Sequence, residues 1–430
     1  MKKIWKTLVA SIVSISPQLV TAAVLVSVFR LFSIYLDGES VGKIMLIIGG
    51  LSLIESIFVS PICQSFYYLA DKNNVLDSFL SLIERLGMGK GAYRFVLFIP
   101  VLLVIFYSIL GPEVRWILLI LALGLFCWAR LQKSLFLAYF NLDDKVLSYA
   151  ALLIVDSLFY FFGLLFTLKF IGGIEGALFG ILLSVVASSV FCWIVYLSTV
   201  RDTNSPWKVD ETTISLASYF SHSRPIAVMG IIGWCTNFLD RYIVGITLGY
   251  EKAGVYSMVS GLVARPYNVL GSGLSVRFKP LIFRDIKNQL SPMRNWIIQA
   301  VSLGFLGVIG ILMIRGPIIE IVFAGRYEDE ALILLPIFGI VYLLSILFHP
   351  FDNIFMSQGR NRDLLRFQLL QSILSAFILL FGGLSFGVYG AAASRIFSLS
   401  IGMVLLYYFW RRLLSKISSD RALSVEKCKL

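Results

Sequence analysis

Apolar stretches of roughly twenty residues recur from one end of this chain to the other, separated by short polar breaks. A stretch of that length crosses the hydrocarbon core of a bilayer as one helix. In lipid only helices and closed barrels satisfy every backbone hydrogen bond. Twelve or so spans of that length are expected, near Leu8–Ile34, Ile44–Cys63, Phe95–Leu110, Trp116–Phe140, Val146–Phe170 and Gly173–Leu197, then Ile226–Leu248, Gly254–Leu274, Trp296–Ile314, Ile333–Met356, Leu365–Phe386 and Tyr389–Trp410. Composition agrees. Hydrophobic residues are 58% of the chain and charged residues 14%, about half the charged share of a soluble domain. The expectation is an all-α polytopic membrane protein.

Lys and Arg fix its orientation. Assigned to alternate loops, they divide about 27 to about 7, and the richer side faces the cytoplasm. Both termini belong to that side, so a multi-pass membrane protein with cytoplasmic termini is expected. The net charge of +12 therefore reflects topology, and nucleic acid is not an expected partner. The start, Met1-Lys2-Lys3-Ile4-Trp5-Lys6, is like a signal-peptide n-region, but the apolar run behind it is too long for an h-region, so it reads as an uncleaved first helix. Five cysteines form no CxxC pair, and His222 and His349 are the two histidines. Neither a disulfide framework nor a metal site is indicated, and no cofactor is expected. The chain has no P-loop, Ser/His/Asp or HExxH pattern, so it is not read as an enzyme.

The longest polar segments are Asp71–Gly91 and Val200–Thr213. The first carries a helical apolar stripe of Val75, Phe79, Leu82, Ile83 and Leu86. It suits a helix lying flat on the cytoplasmic surface or an ordinary amphipathic connector. The second, with Asp202, Asn204, Ser205 and Pro206, reads as a linker between an N-terminal six-helix lobe (1–205) and a C-terminal one (206–430). The halves repeat each other. Leu36-x-x-Glu39-x-Val41-Gly42 matches Leu248-x-x-Glu251-x-Ala253-Gly254, and Gly173-Ile174-Glu175-Gly176-Ala177 matches Gly387-Val388-Tyr389-Gly390-Ala391. Both matches have an offset of about 212–214 residues. Two pseudo-symmetric six-helix lobes around a central cavity are expected, an arrangement common in transporters.

Charges inside the spans cost about 2.5–3.5 kcal/mol each on insertion scales, so each needs a cavity, a partner or a snorkelling route. Arg30 and Arg241 both lie about two turns before the outer end of the first helix of their half. They line a cavity, where guanidinium forks suit phosphate oxygens, or they snorkel to headgroups. Asn237 lies on the Arg241 face. Arg265 lies midway along its span, where snorkelling is hard, and shares a stripe with Ser257, Gly261, Asn268 and Ser272. Arg395 is intramembrane too, as a cavity cation or a structural partner of a neighbouring helix. Asp156, Glu55 and Asp240 are the acidic candidates, carrying a coupling ion or holding a fixed salt bridge. Further stripes are Tyr149, Asp156, Tyr160 and Gly163; Ser14, Gln18 and Thr21; and Gln368, Gln371 and Ser375. Pro17, Pro225 and Pro266 are candidate kinks.

The run Asp240-Arg241-Tyr242-Ile243-Val244-Gly245 followed by Gly254-Val255-Tyr256-Ser257, with the LxxExxG turns and the G-[IV]-x-G-A helix openings, resembles the Wzx-type O-antigen flippases of the multidrug/oligosaccharidyl-lipid/polysaccharide (MOP) exporter superfamily. The resemblance implies a two-lobed transporter. It would move an undecaprenyl-pyrophosphate-linked oligosaccharide repeat unit, for O-antigen, lipopolysaccharide or a similar surface polysaccharide, from the cytoplasmic to the periplasmic leaflet. Alternating access coupled to a proton or sodium ion and a cationic cavity go with it. Implied partners are the lipid-linked oligosaccharide, membrane lipids, and the polysaccharide polymerase and chain-length machinery. Two other readings stay open. A small-molecule or drug antiporter of the same superfamily calls for an acid-dominated cavity, and an integral-membrane oligosaccharide polymerase calls for a long outer loop with reactive residues.

Overall fold

The structure is a computed structural model, which describes residues 2–70, 75–86, 112–143, 145–200, 216–284, 289–358 and 360–427. Every regular element among the described residues is helical. In chain order these are α1 (Lys2–Tyr35), α2 (Gly38–Ile54), α3 (Ser60–Leu69), α4 (Val75–Arg85), α5 (Pro112–Leu142), α6 (Val146–Phe170) and α7 (Gly173–Val200). They continue as α8 (Leu216–Leu248), α9 (Tyr250–Arg284), α10 (Leu290–Phe323), α11 (Glu328–Ile346), α12 (Phe348–Ser357) and α13 (Asn361–Lys427). The expected span Phe95–Leu110 lies outside the described residues, as does most of the expected linker Val200–Thr213. The other eleven expected spans coincide with helices, the last two joined in α13. Among the described residues, seven helical stretches are long and apolar enough to cross a membrane.

Backbone packing divides the chain into two compact units, Met1–Trp234 and Cys235–Leu430, with the division inside α8. In the first unit α6 packs along α7 and α1, and α5 packs against α7 and α3. Thr21 of α1 hydrogen-bonds its own Pro17 carbonyl at 2.8 Å and meets Ser157 of α6 at 2.9 Å. The helix-one polar stripe is thus spent in part on a helix contact. A π-turn, Glu55–Val59, joins α2 to α3. Opposite it, Gly230 of α8 sits so close to the Ser56 carbonyl that any side chain there would strike backbone.

The stripe on α4 faces protein rather than lipid. Val75, Phe79, Leu82 and Ile83 are all buried. The Phe79 ring lies 6.1 Å from Phe66, 5.0 Å from Phe136 and 4.7 Å from Tyr139. This aromatic cluster, extended by Phe140 and Trp193, forms part of the first unit's core.

In the second unit α9, α10 and α11 pack on one another, and α11 and α12 pack on α13. α13 is two helices joined at Gly387, whose φ of 64° and ψ of −150° only glycine adopts readily. Gly173, its match in the repeat, also has positive φ, 59°. The second glycine of each motif serves a close approach. A Cβ on Gly176 would stand 2.8 Å from the Thr167 carbonyl oxygen, and one on Gly390 would collide with the Gly382 carbonyl. The two G-x-x-G-A segments therefore share one local solution: a turn, then a helix started flush against the preceding one.

Candidate functional site

The first unit holds a charge network. Arg130 Nε of α5 lies 3.0 Å from Glu55 Oε1, the first residue of the π-turn. Three residues on, Lys133 Nζ donates to Asp156 Oδ1 of α6 at 2.8 Å. Asp156 also accepts from Ser188 Oγ of α7 at 2.7 Å, and Ser189 donates to Gln132 alongside. One turn of α5 thus supplies two cations and an amide to three neighbouring segments. Asp156 is held in place as a counter-ion. Arg130 and Lys133 are the residues that sequence reasoning missed. The expected span Trp116–Phe140 contains both, yet counting Lys and Arg by alternate loops places them with the cytoplasmic loop cations; both lie inside α5, and the Lys133 side chain is 3% exposed. The available signal was their spacing, which puts two cations on one face of an apolar helix.

The second unit holds another. Asp240 of α8 accepts from the Tyr256 hydroxyl of α9 at 2.9 Å, and its carboxylate lies 3.5 Å from Arg395 Nε of α13. Arg395 also donates to the Thr236 carbonyl. Both charged side chains are sealed, at 2% and 7% exposure. Arg395 and Asp240 therefore neutralise each other.

Arg241, the next residue, is arranged differently. Its guanidinium lies over the Phe238 ring at 4.6 Å, and one arm reaches Ser260 Oγ at 3.5 Å. Ser260 in turn meets Tyr342 Oη at 2.8 Å. Arg241 Nε is buried without a hydrogen-bond partner, and among the described residues no carboxylate stands within ion-pair distance of the group. A part-buried guanidinium whose Nε has no partner retains a donor for an anion.

The α9 stripe changes character along its length. Ser257 is buried, whereas Arg265, Asn268 and Ser272 are exposed, as is Asn237 of α8. Arg30 of α1 is half-buried. The stripe on the penultimate span is structural. Gln371 and Ser375 are buried, and the neighbouring Ser372 meets Thr236 Oγ1 at 2.7 Å. Among the described residues no three His, Cys, Asp or Glu side chains are grouped to hold a metal ion.

No curated protein matches the chain in sequence. Among solved structures, the inward closed conformation of the lipid II flippase MurJ matches with a TM-score of 0.65 at 12% identity, over 94% of this chain and 87% of that one. An inward-facing multidrug resistance MATE family transporter of the MOP superfamily matches at 0.67 with 14% identity, over 94% and 96%. A MOP superfamily transporter from Pyrococcus furiosus matches at 0.57 with 13% identity, over 95% and 96%. At such identities the likeness is one of fold. The sequence itself is more specific, since residues 71–331, more than half the chain, match the polysaccharide biosynthesis protein family. The chain therefore belongs to the polysaccharide biosynthesis protein family, on a multi-pass helical fold like that of MOP superfamily transporters.

Proposed function

We propose that the protein is a flippase for a polyprenyl-pyrophosphate-linked oligosaccharide, carrying O-antigen-type repeat units from the cytoplasmic to the periplasmic leaflet of a bacterial inner membrane. Its premise is the architecture expected from the repeat, two six-helix lobes, 1–205 and 206–430, enclosing a cationic cavity. The observation that carries it is the exposed polar face of α9. Arg265, Asn268 and Ser272 are exposed together on one helix, and a membrane-spanning helix places such a face towards water, substrate or protein rather than lipid. Arg241, with its Nε donor unpaired, adds a second guanidinium on the neighbouring helix. Two such forks suit a pyrophosphate.

The family is one of polysaccharide biosynthesis, and one structural neighbour is itself a lipid II flippase. Another is described by a binding pocket of reverse polarity that suggests a different function, so pocket charge varies on this fold. A drug antiporter selecting cations needs free acids. Here Glu55, Asp156 and Asp240 each face a cation. For ion coupling we assign Asp156 and Glu55 over the sealed Asp240, because at 26% and 29% exposure an incoming proton or sodium ion can compete with Lys133 and Arg130 for the carboxylate.

The test is deletion of the gene, followed by extraction of lipid-linked saccharides with leaflet assignment. Surface polysaccharide should disappear while repeat units accumulate facing the cytoplasm. Units that reach the periplasm unpolymerised would favour a polymerase instead. Arg265→Ala should lower flux about tenfold or more, the worth of one charge-assisted hydrogen bond, at unchanged membrane abundance. A loss wholly explained by abundance makes Arg265 structural.

A further inference from the structure

The last turn of α3 sends three consecutive aromatic rings to two destinations. Phe66 is fully buried in the aromatic cluster, Tyr67 is 38% exposed and Tyr68 is 74% exposed. An exposed tyrosine is ordinarily free to rotate. Tyr68 is instead stacked on His222 of α8, with centroids 4.5 Å apart and planes inclined by 15°. Beside it the Tyr67 hydroxyl accepts from Asn141 Nδ2 of α5 at 3.1 Å. Gln64, one turn earlier on α3, is exposed too. The ends of α3 and α5 and the start of α8 thus hold one face of the Tyr68 ring against an imidazole and leave the side chain exposed, with the hydroxyl of the adjacent Tyr67 paired to a carboxamide.

Those groups match a saccharide. A pyranose ring presents a patch of C–H bonds on one face, which suits the electron-rich face of an aromatic ring. Around its rim are hydroxyls, which both donate and accept, as do Asn, Gln and Tyr. Because His222 already holds Tyr68, little side-chain freedom is lost on binding. With the orientation proposed above, this surface opens to the cytoplasm, where a glycan would arrive.

We propose that Tyr68, backed by His222 and flanked by Tyr67 and Asn141, is a stacking platform for the saccharide portion of the substrate. The proposal rests on the flippase reading and adds a glycan contact distant in sequence from the arginines. The alternative for an exposed tyrosine near a helix end is interfacial anchoring in the headgroup layer.

Full-length protein in nanodiscs of phosphatidylethanolamine and phosphatidylglycerol would be titrated with two probes. One is bare undecaprenyl pyrophosphate; the other is the same carrier bearing the glycan that accumulates in the deletion strain. Tyr68→Ala and His222→Ala should weaken binding of the glycosylated probe roughly three- to tenfold and leave the bare carrier unchanged. Tyr68→Phe, which keeps the ring, should bind both as the parent does. Equal losses on both probes would mean anchoring or general damage and would overturn the platform, as would no change on either. If the unaltered protein binds both probes equally, the platform fails and the flippase reading stands. If it binds neither, both fail.

Discussion

The Lys133–Asp156 pair shows why single residues in this chain cannot be assigned from their own neighbourhood. Lys133 sits near the end of an apolar run, where hydropathy reads a cation as the start of a loop. What keeps it inside α5 is a carboxylate on the next helix and, through it, Ser188 on the one after. The Glu55–Arg130 contact links positions 75 apart, and no local pattern encodes that separation. The acids were legible, because a lone carboxylate inside a span has to be explained. Their partners were not, because cations at span ends are common. The pair makes a prediction. Lys133→Met leaves Asp156 facing a lost charge and should lower the unfolding free energy in detergent by up to about 3–5 kcal/mol, the range for a broken buried pair. The value should fall below that ceiling because Asp156 is 26% exposed. Lys133→Met with Asp156→Leu should recover much of the loss, as neutral pairs often replace buried ion pairs without cost. A double variant worse than the single would show that the network does more than balance charge.

At the scale of elements, the helices were readable and their partners only partly so. Length and apolarity place α6 at the expected boundaries, Val146–Phe170, since hydrophobic thickness sets both ends. The α4 stripe was legible as a stripe, but the same periodicity serves a membrane surface and a protein surface, and only the aromatic cluster decides between them. Phe79→Ala should cost about 3–5 kcal/mol, the usual range for removing a buried phenylalanine. It should also open α4 to limited proteolysis in purified full-length protein; unchanged digestion would mean that the helix is held elsewhere. The G-x-x-G-A repeat was visible as spelling. Its reason, positive φ at the first glycine and backbone contact at the second, needed coordinates.

For the whole molecule, orientation remains the most testable consequence of the sequence. Moving Arg130 and Lys133 from loop to helix interior leaves about 25 cations against about 7, still a decisive bias. A phosphatase reporter fused after Gly325 should therefore be active, and one fused at the C-terminus inactive; the reverse pattern would invert the proposed direction of transport. The unpaired Nε of Arg241 was beyond any composition argument, because donor satisfaction depends on which groups three helices bring together. The π-turn at Glu55–Val59 has a longer reach than its five residues. An i→i+5 turn accommodates one extra residue, and each residue is worth about 100° of azimuth on a helix. Everything after it on α3 is rotated by that amount relative to an uninterrupted spiral. The direction in which Tyr67 and Tyr68 look is thus a matter of counting. Excising one amino acid between the turn and Tyr67, with the turn kept, would swing both rings about a quarter-turn from His222 and Asn141 without altering either tyrosine.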